Sequence, residues 1–194
     1  MKPRSLFGFG GIIASLVLIA FGVAAIVIGY QGREEVRDTL AREHIVGTPD
    51  SDIPGQKVDT GSEARSFADT MREHTMKSTG GLTYSELPRY IGPDGQGTND
   101  ANLAVKDQFG KPLDNPLRNL WVTETALTTS LNTAYFAEQV GLFAIVMGTA
   151  LVLTGAGFAV LTLGALWKVD FGHKEAAAPA EADDTAPRLA GLAD

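Results

Sequence analysis

The chain contains no cysteine, which excludes disulfides, thiolate zinc sites, iron–sulfur clusters and cysteine nucleophiles, and leaves the redox state of its compartment open. Histidine is scarce, with only His44, His74 and His173, so nitrogen ligands for a metal are few. A basic surplus is missing as well. Residues 31–139 hold eleven Lys and Arg against seventeen Asp and Glu, without a basic cluster. A duplex binder needs a basic face to displace phosphate counterions, so no nucleic-acid partner is expected. The most informative absence is local: Leu6 to Tyr30 and Val140 to Trp167 contain no Asp, Glu, Lys or Arg at all.

Each of these stretches is long enough to cross a bilayer. At 1.5 Å per residue, about 25 residues make a helix of about 37 Å, against a hydrocarbon core of roughly 30 Å. Met1-Lys2-Pro3-Arg4 before an apolar run also begins many secretory signals. Here the run far exceeds the apolar region of a signal peptide, and Ile26-Val27-Ile28 continue it past the poor cleavage sequence Val23-Ala24-Ala25. The expectation is an uncleaved anchor.

Two crossings put both termini on one side. Lys2, Arg4, Lys168 and Lys174 flank the spans there, against Arg33, Arg37 and Arg42 interleaved with acids on the other side. The count favours cytoplasmic termini, and a long domain translocates largely regardless of its charge. The expected organisation is therefore a cytoplasmic N-terminus at 1–5, a span at 6–30, an extracytoplasmic helical domain with loops at 31–139, a span at 140–167 and a disordered acidic cytoplasmic tail at 168–194. The expected location is the plasma membrane. Tyr30, Tyr135 and Phe136 fall at the outer interface and Trp167 at the inner one, where amphipathic rings prefer to sit.

Between the spans, residues 33–45 lack Gly and Pro and place Asp38 four residues before Arg42, which predicts a stalk continuing the first helix. Gly47 to Gly55 is a turn-rich linker. Thr60 to Glu63 has capping-box spacing, ahead of a helix with Ala64, Phe67, Ala68, Met71 and Thr75 on one face, stopped by Gly80-Gly81. Thr83 to Glu86 repeats the spacing and predicts one or two helical turns. Gly92 to Asp100 reads as an exposed loop, and Asp100 as the cap of a short helix over 101–109. Asn115-Pro116 suits an N-cap and first helical position, opening one helix of about 50 residues, on the order of 75 Å, to Trp167. The fold class is all-α: an antiparallel hairpin of two transmembrane helices extended into a mostly helical outside domain.

Both long helices carry a seven-residue stripe. Gly8, Ser15, Gly22, Gly29 and Val36 form one; Leu120, Leu127, Ala134, Gly141, Gly148 and Gly155 form the other. Small residues at one repeated face let two backbones approach closely in lipid, where no hydrophobic effect drives helices together. These faces are expected to meet, within one chain or between chains.

Candidates for chemistry are sparse. Arg42-Glu43-His44 and Arg72-Glu73-His74 repeat one tripeptide, and would need their helices to meet before His and Glu shared a divalent ion. Two solvated faces is the simpler reading. Asp94, Gln96, Thr98 and Asp100 alternate like the oxygen donors of a calcium loop, yet Asn99 and Val105 stand where an EF-hand has Gly and Glu. A polar turn is expected, with no metal, cofactor or catalytic residue.

Five segments, Ile53 to Asp59, His74 to Gly81, Thr83 to Leu87, Asn115 to Thr123 and Thr129 to Phe136, together resemble a family of small actinobacterial membrane proteins with two terminal spans. The resemblance covers most of residues 6–166 and implies an actinobacterial plasma membrane. Members are often labelled as an aromatic ring-opening dioxygenase subunit. Such an enzyme holds iron with His and carboxylate ligands in a substrate-sized pocket, and scattered histidines do not provide that set.

The function expected is thus structural: a non-enzymatic accessory or scaffold subunit, presenting its outside domain to a larger envelope complex or to copies of itself. The alternative is an extracytoplasmic ligand-binding or sensor module. It would need an apolar pocket with converging polar groups, for which Phe67, Met71, Tyr84, Tyr90 and Trp121 are the candidate lining.

Overall fold

The computed structural model describes residues 3–176 as backbone and the side chains of residues 9–164. It is mostly helical, with α1 (Pro3–Arg42), α2 (Gly61–Ser78), a two-stranded ribbon β1 (Tyr90–Ile91) and β2 (Gly97–Thr98), and α3 (Pro116–Ala176). Both α1 and α3 are long and apolar enough to cross a membrane. By contacts the chain forms two compact units, one of residues 1–21 with 151–194 and one of residues 22–150.

In the first unit Ser15 on α1 is buried against Gly155 on α3. A Cβ on Gly155 would lie 2.9 Å from the Ser15 carbonyl and 2.8 Å from Ile19 Cγ1. Ser15 turns its hydroxyl onto its own helix, donating to the Gly11 carbonyl at 2.7 Å, so a buried polar group is satisfied without a partner across the seam. The large side chains face outward: Phe21 is 69% and Leu153 67% exposed.

The second unit has a small core of Leu40, Val58, Ala64, Ala68 and Leu131, one to two residues from each helix and from the 43–60 connection. α1 stops at Arg42, and His44 takes a positive φ of 52°, which begins the turn away from the helix. The connection then closes on itself: Val58 N–H donates to the Ile45 carbonyl at 3.0 Å and Gly47 N–H to Gln56 at 2.9 Å. Gly47 is required there, because any Cβ would collide with the Ile53 carbonyl. The expected Asp38–Arg42 ion pair is replaced by a backbone contact, in which Arg42 Nε donates to the Asp38 carbonyl at 3.1 Å.

α2 has the capping box that its sequence announces. Thr60 Oγ1 accepts from Glu63 N–H while the Glu63 carboxylate accepts from Thr60 N–H at 2.9 Å. Burial pushes the Glu63 carboxyl up, but the N–H groups of Asp59 and Thr60 and the Thr60 hydroxyl outweigh this and leave it lowered. Ala64, Ala68 and Thr75 are buried, with Phe67 and Met71 beside them half-buried. The helix ends in a Schellman pair, Gly81 N–H to Met76 at 2.8 Å and Gly80 N–H to Lys77 at 3.2 Å, both glycines having positive φ.

Three expectations for residues 83–109 are corrected. The Thr83 to Glu86 box closes a single turn, with Glu86 N–H on the Thr83 carbonyl at 3.1 Å, and no helix follows. Gly92 to Asp100 is no plain loop, since Tyr90 pairs with Thr98 and Ile91 with Gly97 in an antiparallel ribbon. No helix occupies 101–109 either. Asp100 caps a turn through Asn102 N–H at 2.8 Å, and Val105 N–H bonds the Ile91 carbonyl at 2.8 Å. The chain is therefore mainly, not wholly, α. Asn115 does cap α3, accepting from Leu117 N–H at 3.0 Å ahead of Pro116. α3 continues past Trp167 through Ala176, so residues 168–176 are helix; 177–194 lie outside the described residues.

Candidate functional site

Where α1 and α3 meet, glycines face backbone carbonyls and isoleucine side chains of the other helix. In the second unit a Cβ on Gly29 would sit 2.6 Å from the Gly141 carbonyl, and one on Gly148 would sit 2.5 Å from the Gly22 carbonyl. Those distances lie far inside van der Waals contact with backbone, so only glycine fits. Within the first unit Ser15 meets Gly155, and within the second Gly22 meets Gly148 and Gly29 meets Gly141. Ser15, Gly22, Gly29, Gly141, Gly148 and Gly155 are all brought into contact. The side-chain environment of Gly8 lies outside the described residues, as does that of Trp167.

Above the glycines the stripe on α3 departs from expectation. Leu120 is 38% and Leu127 47% exposed, while Trp121, Glu124, Leu131 and Glu138 are buried instead. The reason is a change of partner: here α3 also meets α2 and the 82–90 turn, so a different face is covered. Trp121 Nε1 donates to the Leu82 carbonyl at 3.0 Å, and the Arg72 guanidinium lies 5.2 Å from the centre of the indole ring.

Glu138 is the junction of the three helices. Its Oε1 accepts from Arg33 at 3.1 Å and from Arg37 at 3.1 and 2.9 Å, both on α1 one turn apart. Its Oε2 accepts from Gly61 N–H at 2.7 Å, the first residue of α2, where unpaired N–H groups and the helix dipole favour an anion. Burial raises the carboxyl, but the Gly61 N–H and the two guanidinium groups overcome this and hold it below the ordinary range. Gly61 permits the approach: a Cβ there would lie 2.8 Å from Glu138 Oε2 and 2.8 Å from Tyr135 Cα. No motif announced this cluster. The available signal was Arg33 and Arg37 four apart after the first span, opposite an acid just before the second.

The two tripeptide copies do not combine. His74 Nε2 lies 2.6 Å from Asp50 Oδ2, Glu73 pairs with Lys77 at 3.2 Å, and His44 stands in the turn after α1. Asp50 is lowered to about 2, chiefly by the hydrogen bond to His74. In the ribbon Asp94 Oδ1 accepts from Gln96 N–H at 2.9 Å and Asp100 is turned to its own backbone, so these carboxylates shape turns. Among the described residues no group of three or more His, Asp or Glu is placed to hold a metal.

The five aromatic and Met candidates are divided. Phe67 and Met71 line an apolar groove of about 810 Å³ between α1, α2 and α3. Tyr84 and Tyr90 line a polar surface pocket of about 340 Å³ with Arg118 and Asp114, where the Arg118 guanidinium stacks 3.9 Å from the Tyr84 ring centre. Trp121 is core.

These features define a small helical protein with two membrane-length apolar helices and a three-helix junction on a buried carboxylate. Comparison with protein-family models, curated proteins and solved structures finds no match.

Proposed function

We propose that the chain is an integral plasma-membrane protein, a two-span antiparallel hairpin with both termini cytoplasmic, belonging to the two-span family it resembles. It serves as a non-enzymatic accessory or scaffold subunit that holds a small extracytoplasmic domain at fixed height for a protein partner or for further copies of itself. The observation that carries this reading is the inversion of burial along α1 and α3. Glycine and serine are inside, whereas Phe21, Ile28, Phe143 and Leu153 are each about two-thirds exposed. In water such a surface would aggregate; in lipid it is the expected arrangement, with small residues between helices and large apolar ones against acyl chains. The seam and the Glu138 junction support a stiff stem rather than two loose anchors. The non-enzymatic reading is supported by the use of the candidate carboxylates and His74 in turns, caps and ion pairs.

The test is membrane extraction followed by mass measurement in mild detergent. The chain is expected to resist alkaline washing and to run as an assembly with a partner or with itself. Release by alkali would contradict the membrane reading, and a clean monomer from native membranes would contradict the scaffold reading.

A second reading, a ligand-binding module, is favoured by one observation, the apolar groove that Phe67 and Met71 help to line.

A further inference from the structure

We propose that this groove binds an acyl chain of an outer-leaflet phospholipid whose headgroup carries an amine. The inference rests on the reading of residues 6–30 and 140–167 as spans, and it deepens the second reading above.

The groove begins where the spans end and continues above them. Its lower lining includes Ile28, Val140 and Ala144, and its upper lining Ile45, Phe67 and Met71. From Ile28 to Glu43 along α1 is about 22 Å at 1.5 Å per residue, longer than the roughly 15 Å hydrocarbon depth of one leaflet. An acyl chain can therefore pass from the bilayer into the groove without crossing water. Its floor is continuous with the lipid-facing surface, since Ile28 and Val140 are exposed there. One narrow acyl chain fits within the roughly 810 Å³ of the groove.

The rim selects the headgroup. Its polar groups are Glu35, Thr39, Glu43, Ser130 and Thr133, with no Lys or Arg among the described lining residues. The three hydroxyl protons are already donated to backbone carbonyls of their own helices, Thr39 to Glu35 at 2.8 Å, Ser130 to Ala126 at 3.0 Å and Thr133 to Thr129 at 2.7 Å. Thr39 Oγ1 also accepts from Arg42 Nη2 at 3.1 Å, so the acceptors that remain are the Ser130 and Thr133 hydroxyls and the two carboxylates. An ammonium group donates to the carboxylates of Glu35 and Glu43.

The experiment uses the full chain, reconstituted in vesicles of phosphatidylethanolamine and phosphatidylglycerol, extracted in mild detergent and weighed by native mass spectrometry. A retained phosphatidylethanolamine is expected. Glu35→Gln combined with Glu43→Gln, at exposed positions, should reduce its preference over phosphatidylglycerol about tenfold, a change of about 1.4 kcal/mol. Ala134→Trp should fill the groove and abolish retention; if it loses helicity, Ser130→Trp at the exposed rim provides the block. No retained lipid, retention of phosphatidylglycerol instead, retention unchanged by the blocking variants, or a dimer that seals the groove would each overturn the proposal. A chain that resists alkali yet retains no lipid sinks this inference alone, while release by alkali sinks the membrane reading beneath it.

Discussion

The carboxylate of Glu138 accepts a 2.7 Å hydrogen bond from the backbone N–H of Gly61, joining the last turn of α3 before its apolar stretch to the first residue of α2. Because the same carboxylate also holds Arg33 and Arg37 of α1, one side chain fixes the mutual placement of three helices. Glu138→Ala leaves two guanidinium groups and one buried N–H without their acceptor. Breaking a fully buried pair costs about 3–5 kcal/mol, but Arg37 is half exposed and screened. A loss of about 2 kcal/mol is expected here, read as a lowered midpoint in thermal unfolding. An unchanged midpoint would show that the junction contributes nothing.

Gly61→Ala tests the same junction from the other side without touching a charge. The added methyl meets Tyr135 Cα and the Glu138 carboxylate, so α2 must move away from α3. Overpacking of this kind costs about 1–3 kcal/mol. Hydrogen exchange at the first turn of α2 should quicken in this variant and stay slow at Gly80-Gly81, which are held by their own cap.

The His74–Asp50 contact ties the 47–55 connection to α2 and gives a pH dependence of known sign. The Asp50 carboxyl is lowered to about 2 from an ordinary 3.8. Its contribution to stability is therefore complete above 3.8 and is lost as pH falls through about 2. NMR titration should find the Asp50 carboxyl near the low value in the wild type and back near the ordinary value in His74→Ala. A midpoint insensitive to His74 would refute the pairing.

Glycines in the apolar stretches of α1 and α3 should divide into two kinds. Gly148→Leu forces a side chain into the Gly22 carbonyl and Ile26, whereas nothing lies within 4 Å of a Cβ at Gly157. Gly148→Leu should lower the thermal midpoint and raise helix separation measured between spin labels, and Gly157→Leu should do neither. Equal effects would mean that glycine content matters and the seam does not.

Much of this was legible in the residues. The two membrane-length apolar helices, the α2 capping box, its Gly80-Gly81 stop and the Asn115-Pro116 start are local signals. The seven-residue stripes were also readable, because Gly29, Gly148 and Gly155 each face a backbone carbonyl of the other helix and a single period persists. It failed at Leu120 and Leu127, where α3 gains α2 and the 82–90 turn as partners. No period within one helix reports such a change. The ribbon at Tyr90 and Thr98 was hidden because two-residue strands have no room for alternation, and Asp100 signals a capped turn and a helix start alike. Glu138 was hidden for a different reason: an acid beside a span looks solvated until the guanidinium groups and N–H that desolvate it are placed.

The central claim is that α1 and α3 pack face to face within a single chain. At Gly11 the two helices come close enough for a Cβ to stand 3.4 Å from Thr162 Cβ, near the 3.5–4.5 Å typical of a disulfide, and the chain has no other cysteine to interfere. Gly11→Cys combined with Thr162→Cys, oxidised in native membranes and then cut by protease between residues 42 and 116, provides the test. The account predicts that on a denaturing gel the two fragments stay joined until reduced, and that the uncut protein shows no disulfide-linked dimer. Fragments that separate without reductant, or cross-linked dimers of the uncut chain, would contradict it.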